Sequence, residues 1–386
     1  MPITYPYNQY GGVWNLTSQS QAQGAGTWAT PPVPHLFSWG LNQYGEIGVG
    51  NITYYSSPKQ VGSLTTWSVL SGTRQSSFGI KTDGTLWVWG QNNNGQLGLG
   101  NTTNYSSPKQ VGALTNWSQI SNGNYHSLAL KTDGTIWAWG QNNYGQLGLS
   151  NTTYYSSPKQ VGSLTTWLNI SAGNYRSFAI KTDGTLWSWG NNSQGQLGLN
   201  NTTNYSSPKQ IGNLTTWSYV YGGANFTVAI KNDGTFWSWG YNGYGQLGLN
   251  NRTNYSSPKQ LGALTNWSNV ANNNVGSVLS IKKDGTLWGW GYNGFGNLGL
   301  GNTNYYSSPK QVGSLTTWSK IAVGTGGVSS YGILSNGTLY AWGSNGFGQL
   351  GIGNITNYSS PKQIGNLTTW LNIASGYGTP LAIAKT

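Results

Sequence analysis

The pentapeptide Ser-Ser-Pro-Lys-Gln begins at Ser56, Ser106, Ser156, Ser206, Ser256, Ser307 and Ser359, so the chain repeats itself about every 50 residues. A Trp-Gly pair at Trp39, Trp89, Trp139, Trp189, Trp239, Trp290 and Trp342 keeps the same register and gives the same count of seven. A period of this length means stacked units, none of which buries a core alone. A continuous repeat also argues for one closed body over 386 residues, where length alone would suggest two or three domains.

Within one unit, Trp117 to Ile120, His126 to Lys131 and Thr135 to Trp139 are short β-branched and aromatic runs bounded by Gly or Asn, which predict three strands. The Asp133-Gly134 pair supplies the positive φ of a tight hairpin between the second and third. Pro158 suits an edge or a turn, and a short fourth strand is expected near Gln160 to Val161. Four antiparallel strands repeated seven times predict an all-β fold, a seven-bladed β-propeller over residues 35–386. The last copy stops at Leu381 to Thr386, and the first begins with the missing half at His35 to Gly40, so one blade is expected to be closed by both termini. Residues 1–34 lie outside the repeat and are expected to form an extended N-terminal arm.

Three sets of tryptophans recur, represented by Trp117, Trp137 and Trp139. Rings of this size bury roughly 150–250 Å² each, so they are expected to form blade-to-blade core.

Only 24 residues are Asp, Glu, Lys or Arg, and the formal net charge is +12. Lysines such as Lys131 are offset by an aspartate two residues on, such as Asp133. The excess comes chiefly from the seven Ser-Ser-Pro-Lys-Gln lysines, one per repeat. Phosphate binding draws on a clustered patch, so a ring of single charges reads as a solvated rim and not as a nucleic-acid site. No stretch approaches the ~20 apolar residues of a membrane span, and the N-terminus lacks the basic and apolar regions of a secretory signal. General acid-base chemistry needs a carboxylate or His in a cleft, whereas the aspartates sit in hairpins, and His35 and His126 have no evident partner. With no Cys and no His or carboxylate cluster, no metal or cofactor is expected, and the chain reads as a non-enzyme.

Residues 121–149, SNGNYHSLALKTDGTIWAWGQNNYGQLGL, carry the hairpin, the Trp-Gly pair and Gly-Gln-Leu-Gly in order. In these motifs the chain resembles the regulator of chromosome condensation repeat family over about residues 35–386. The resemblance implies a seven-bladed propeller closed by both ends and a choice of roles, from nucleotide exchange on a small GTPase and chromatin binding to inhibition or binding of other proteins. Exchange in that family depends on a wedge inserted in one blade and on acidic residues; this chain has no such insertion and a single glutamate, Glu46. Chromatin binding there uses a basic tail, whereas residues 1–34 carry no charged side chain.

Differences between copies mark candidate contacts. One varying segment precedes the second strand and includes Arg74, Tyr125, His126, Tyr175, Arg176 and Phe226. The other lies after Trp-Gly and presents Tyr44, Tyr144, Tyr244, Phe295 and Phe347. Loops carry binding, and Tyr, Phe and Arg are enriched at interface cores, so these residues form the expected partner-binding face. In the arm, Tyr5, Tyr7, Tyr10, Trp14 and Trp28 are expected to contact neighbouring proteins of an assembly or identical subunits.

The uncharged arm and the Asn, Thr, Ser, Gly and Tyr composition point to a structural or binding protein on a bacteriophage or viral virion surface, as capsid decoration, fibre or tail, with a host-surface ligand on the propeller face. An intracellular protein–protein interaction adaptor or exchange-factor-like regulator is the alternative, with a cytoplasmic location, and a secreted lectin-like or protein-binding propeller is a third.

Overall fold

A computed structural model describes residues 32–324 and 328–386; Tyr5, Tyr7, Tyr10, Trp14 and Trp28 lie outside the described residues. Those described form twenty-eight strands in seven four-stranded antiparallel sheets. In a representative blade the strands run Trp117–Asn122, His126–Lys131, Ile136–Gly140 and Tyr155–Gln160, from the channel outward. The seven innermost strands touch in turn around a closed ring.

Closure comes from the termini, as expected. Pro34–Gly40 pairs with Pro380–Lys385, in the register His35 to Ala384, Phe37 to Ala382 and Ser38 to Leu381. The same sheet is completed by Tyr55–Thr65 outside and Trp370–Ser375 inside.

Pro158 lies inside the outer strand, and that strand covers the whole Ser-Ser-Pro-Lys-Gln segment from Tyr155, earlier than the expected Gln160 to Val161. An edge strand leaves alternate N–H groups free of ladder partners, so a residue without one is tolerated there. The equivalent Lys59, Lys109, Lys159, Lys209, Lys259, Lys310 and Lys362 are exposed on seven separate blades. Each ammonium stands 5.3–5.8 Å from the ring of the tyrosine four residues earlier.

The core sits at the seams between sheets. Leu128, Leu130, Ile136 and Ala138 of one blade pack on Trp167, Ile170, Ala179 and Trp189 of the next. Trp139 is fully buried, and its Nε1 donates to the Gln96 carbonyl of the preceding repeat at 2.8 Å. Gly140 follows it because φ is +92 to +102° across most copies, +96° here, and a Cβ would lie 2.4 Å from the Tyr125 carbonyl. At about 25 cal/mol per Å², each buried indole contributes about 4 kcal/mol or more before ordering costs.

One tryptophan set departs from expectation. Trp87, Trp137, Trp187, Trp237 and Trp288 are only half-buried. Trp137 meets Trp117 edge to face at 6.3 Å and carries the Lys131 ammonium at 3.8 Å from its ring centroid. Lys131 is thus drawn onto an indole face, while Asp133 accepts from the Thr135 N–H at 2.9 Å and the Thr135 hydroxyl at 2.6 Å. These hydrogen bonds hold the Asp133 carboxyl below its usual range. Among the described residues one lysine–aspartate pair is in contact, Lys81 with Asp83 at 3.6 Å. The expected cancellation of charges is therefore arithmetic and not a set of ion pairs.

Candidate functional site: an aromatic loop face around Arg74

Because the strands of each blade alternate in direction, the loop before the second strand and the long loop after Trp-Gly emerge at the same end of every blade. Among the described residues, the copies of both line one face. The long loop is fixed from within: Asn92 donates to the Asn101 carbonyl at 3.0 Å and accepts from the Leu97 N–H at 2.9 Å, and Asn101 accepts from the Thr103 N–H at 3.0 Å. The Asn-rich sequence follows from this bracket, since the amide offers donor and acceptor together. A rigid loop in turn presents its tip residues at fixed positions.

Two aromatic clusters result. In the first, exposed Arg74 donates to the Tyr125 hydroxyl at 2.8 Å and stands 6.0 Å from the Tyr125 ring and 5.9 Å from the Tyr377 ring. Tyr377 continues to Phe347 at 6.5 Å, and Phe347 to Tyr54 at 6.1 Å. On the other side, Tyr175 packs on Tyr144 at 5.4 Å. Burial, with Tyr125 beside it, holds the Tyr175 phenol above its ordinary range. In the second cluster Tyr244 meets Tyr292 at 5.3 Å and Tyr305 at 5.7 Å. Phe295 is 43% exposed, and half-buried Tyr44 turns its N–H to Glu46 Oε2 at 2.6 Å.

His126, Arg176 and Phe226 do not belong to this face: each is fully buried or nearly so. All three occupy the first position of the second strand, which points under the loop toward the next blade. Arg176 donates to the carbonyls of Gly223 at 2.8 Å, Phe226 at 2.7 Å and Ala224 at 2.5 Å, fastening the neighbouring loop. Burial lowers the Arg176 pKa to about 9 and that of His126 to about 3. His126 Nε2 lies 3.1 Å from Ser177 Oγ. These are fasteners between blades and not partner contacts.

Tyr54, Tyr292, Tyr305 and Tyr377 were missed by sequence reasoning. Tyr377 occupies the repeat position of Arg74 and Asn124, so alignment of all seven copies through strand register would have found it. Glu46 stands where other copies carry Gln96, Gln146, Gln196, Gln246 and Gln349; it is fully buried, and desolvation raises its pKa to about 7. Among the described residues, the exposed charges on this loop face are therefore Arg74 and Arg252. A broad aromatic surface with one stacked guanidinium suits another protein's surface better than a phosphate backbone.

A family model described as the regulator of chromosome condensation (RCC1) repeat matches residues 83–130, 133–180, 183–230, 233–272, 284–328 and 336–383. Among curated proteins, the Ultraviolet-B receptor UVR8 of Arabidopsis thaliana is 34% identical over 87 residues, 22% of this chain and 20% of that protein. Protein RCC2 of Homo sapiens is 36% identical over 87 residues, 22% of this chain and 17% of that protein. The matched stretch thus spans a fifth or less of these relatives. Among solved structures, human WBSCR16 superposes with a TM-score of 0.81 at 23% identity, covering 92% of this chain and 99% of that one. Prp20p of Saccharomyces cerevisiae, described with its binding to Gsp1p and histones, gives 0.81 at 20% identity, covering 92% of each chain.

The relatives by sequence are a receptor of a plant and a protein of an animal, and this overturns the expected placement on a virion surface. The expectation rested on an Asn- and Thr-rich, low-charge composition. That composition is accounted for by the hydrogen-bonded brackets of the loops, which every blade needs wherever the protein resides.

Proposed function

This chain belongs to the regulator of chromosome condensation repeat family, and on that premise we propose that it is an intracellular, non-enzymatic adaptor or regulator that binds another protein through the loop face around Arg74. The observation that carries this reading is the run Tyr54, Phe347, Tyr377, Arg74, Tyr125, which joins blades from both ends of the chain into one continuous surface. Aromatic residues and a stacked arginine are the side chains that dominate interface energies, and rigid loops present them at small entropic cost. The propeller of residues 35–386 is the binding module, distinct in composition from the 34 residues before it. The exchange-factor-like form of this reading has less support, because the one glutamate, Glu46, is buried and the exposed charges of the described face are arginines.

The test is affinity capture from cell extract with the full chain and with an Arg74→Ala, Tyr125→Ser, Phe347→Ser triple variant. The bound protein should be lost with the face variant and kept by a Lys109→Gln, Lys159→Gln rim variant. Equal capture by wild type and face variant would remove the face from the reading.

A further inference from the structure

Beyond the loop face, the seams between blades hold a repeated cavity. One of about 550 Å³ is lined by Asn200, Ile211 and Leu214 from one blade and by Trp217, Trp237 and Pro258 from the next. Cavities of about 450 and 420 Å³ recur at the residues 50 and 100 positions earlier, and one of about 480 Å³ at those about 50 later. These volumes fall within the ~300–1,000 Å³ of small-ligand and peptide-anchor sites. No carboxylate lines any of the four, and in each a lysine ammonium lies 3.7–4.2 Å from the ring centroid of one lining indole, as Lys231 does on Trp237. The leucine at the mouth is 44–50% exposed in all four, at Leu114, Leu164, Leu214 and Leu264.

The indole N–H groups at these seams point to a ligand. In the first blade, Trp67 Nε1 donates to the Leu64 carbonyl at 3.0 Å. At that seam the outer strand of the closing blade, Tyr55–Thr65, runs on past the glutamine and brings its backbone against the tryptophan. At the other six seams the outer strand stops at the glutamine, and Nε1 of Trp117, Trp167, Trp217, Trp267, Trp318 and Trp370 is buried with no acceptor among the described residues. Leaving such a donor unpaired costs about 1–3 kcal/mol. Blade one shows that a backbone carbonyl supplied at the leucine position satisfies it.

We infer that these seams are docking sites for proline-rich partner segments, free of basic side chains, in the polyproline II conformation. Each segment lays a pyrrolidine ring between Trp237 and Leu214 and, as the turn carrying Leu214 yields, gives a backbone carbonyl to a buried indole N–H such as that of Trp217. A polyproline II strand suits the site because its carbonyls make no internal hydrogen bonds and its shape is set before binding. Repetition around the ring lets one long segment, or several, engage more than one seam, so that weak single contacts add through effective concentration.

The experiment titrates the full chain with deca-L-proline, with deca-glycine and cellohexaose as comparators, by calorimetry and by the indole N–H resonances of the ¹⁵N-labelled protein. Deca-L-proline should bind with displaced indole N–H signals and little dependence on salt, and deca-glycine should not bind. Replacing Leu114, Leu164, Leu214 and Leu264 together by Asp should weaken binding by about tenfold or more with the melting temperature unchanged, since all four are exposed. Absence of deca-L-proline binding at millimolar concentration, binding untouched by the leucine changes, or binding of cellohexaose in its place would each overturn the proposal. Because none of these residues belongs to the Arg74 face, the outcome is independent of the capture experiment above.

Discussion

Asn274 Nδ2 donates to Asn124 Oδ1 at 2.8 Å, joining two loops that lie 150 residues apart in the chain. They lie three repeats apart, with two whole blades between them along the chain, so the bond spans the mouth of the central channel on the loop face. The loops beside it are chained by backbone contacts, Asn124 N–H to the Asn174 carbonyl at 3.2 Å and Asn174 N–H to the Gly223 carbonyl at 3.3 Å. Asn274→Ala should cost about 1 kcal/mol and raise amide hydrogen exchange at residues 123–125 and 273–276. Unchanged exchange there would show that the bridge does not order the face.

Arg176 fastens one blade to the next through three carbonyls while shielded from solvent. Arg176→Ala removes the donors and opens a cavity, and should destabilise the fold by about 3 kcal/mol or more in denaturant unfolding. Arg74→Ala, at an exposed position on the loop face, should stay within about 0.5 kcal/mol of wild type. The contrast between two arginines from the same varying segment is the informative result.

Glu46 gives a pH dependence with a definite sign. Its pKa is raised by desolvation from 4.5 to about 7, so between those values the folded state holds a proton that the unfolded state has released. Stability then falls as pH rises through this window and levels off above it, by about 3 kcal/mol in total. Glu46→Gln keeps the shape without the charge, and glutamine is the residue of most other copies. Unfolding at pH 5 and pH 8 should differ less in the variant by about that amount; an unaltered difference would mean that Glu46 is ionised in the fold.

Closure of the ring depends on Pro380–Lys385, whose Leu381 and Ile383 are buried against the first blade, and Ala382 and Ala384 against the sixth. Deleting residues 380–386 should cost about 4 kcal/mol or more from lost burial alone and lower the melting temperature sharply. Deleting only Thr386, which is exposed, should leave it unchanged.

The repeat by itself determined the blades, their number, the hairpins and the closure by both ends: hydrogen bonds and apolar spacing within one copy specify a blade, the count of copies gives the number, and the copy split between the two ends of the repeat gives the closure. The Asp-Gly-Thr turn, the Trp-Gly pair and the Asn brackets recur wherever that pattern recurs. Tertiary structure decided which varying residues reach solvent. Variation between copies marks positions that tolerate change, and these include the first residue of the second strand, where His126, Arg176 and Phe226 are sealed beneath the adjoining loop. Packing between neighbours also left the Trp137 set half-open at the seams and brought Tyr377 beside Arg74 from the far end of the chain. A side chain's surroundings in this ring are set by the next blade, whose placement depends on closure of all seven and cannot be read within one repeat.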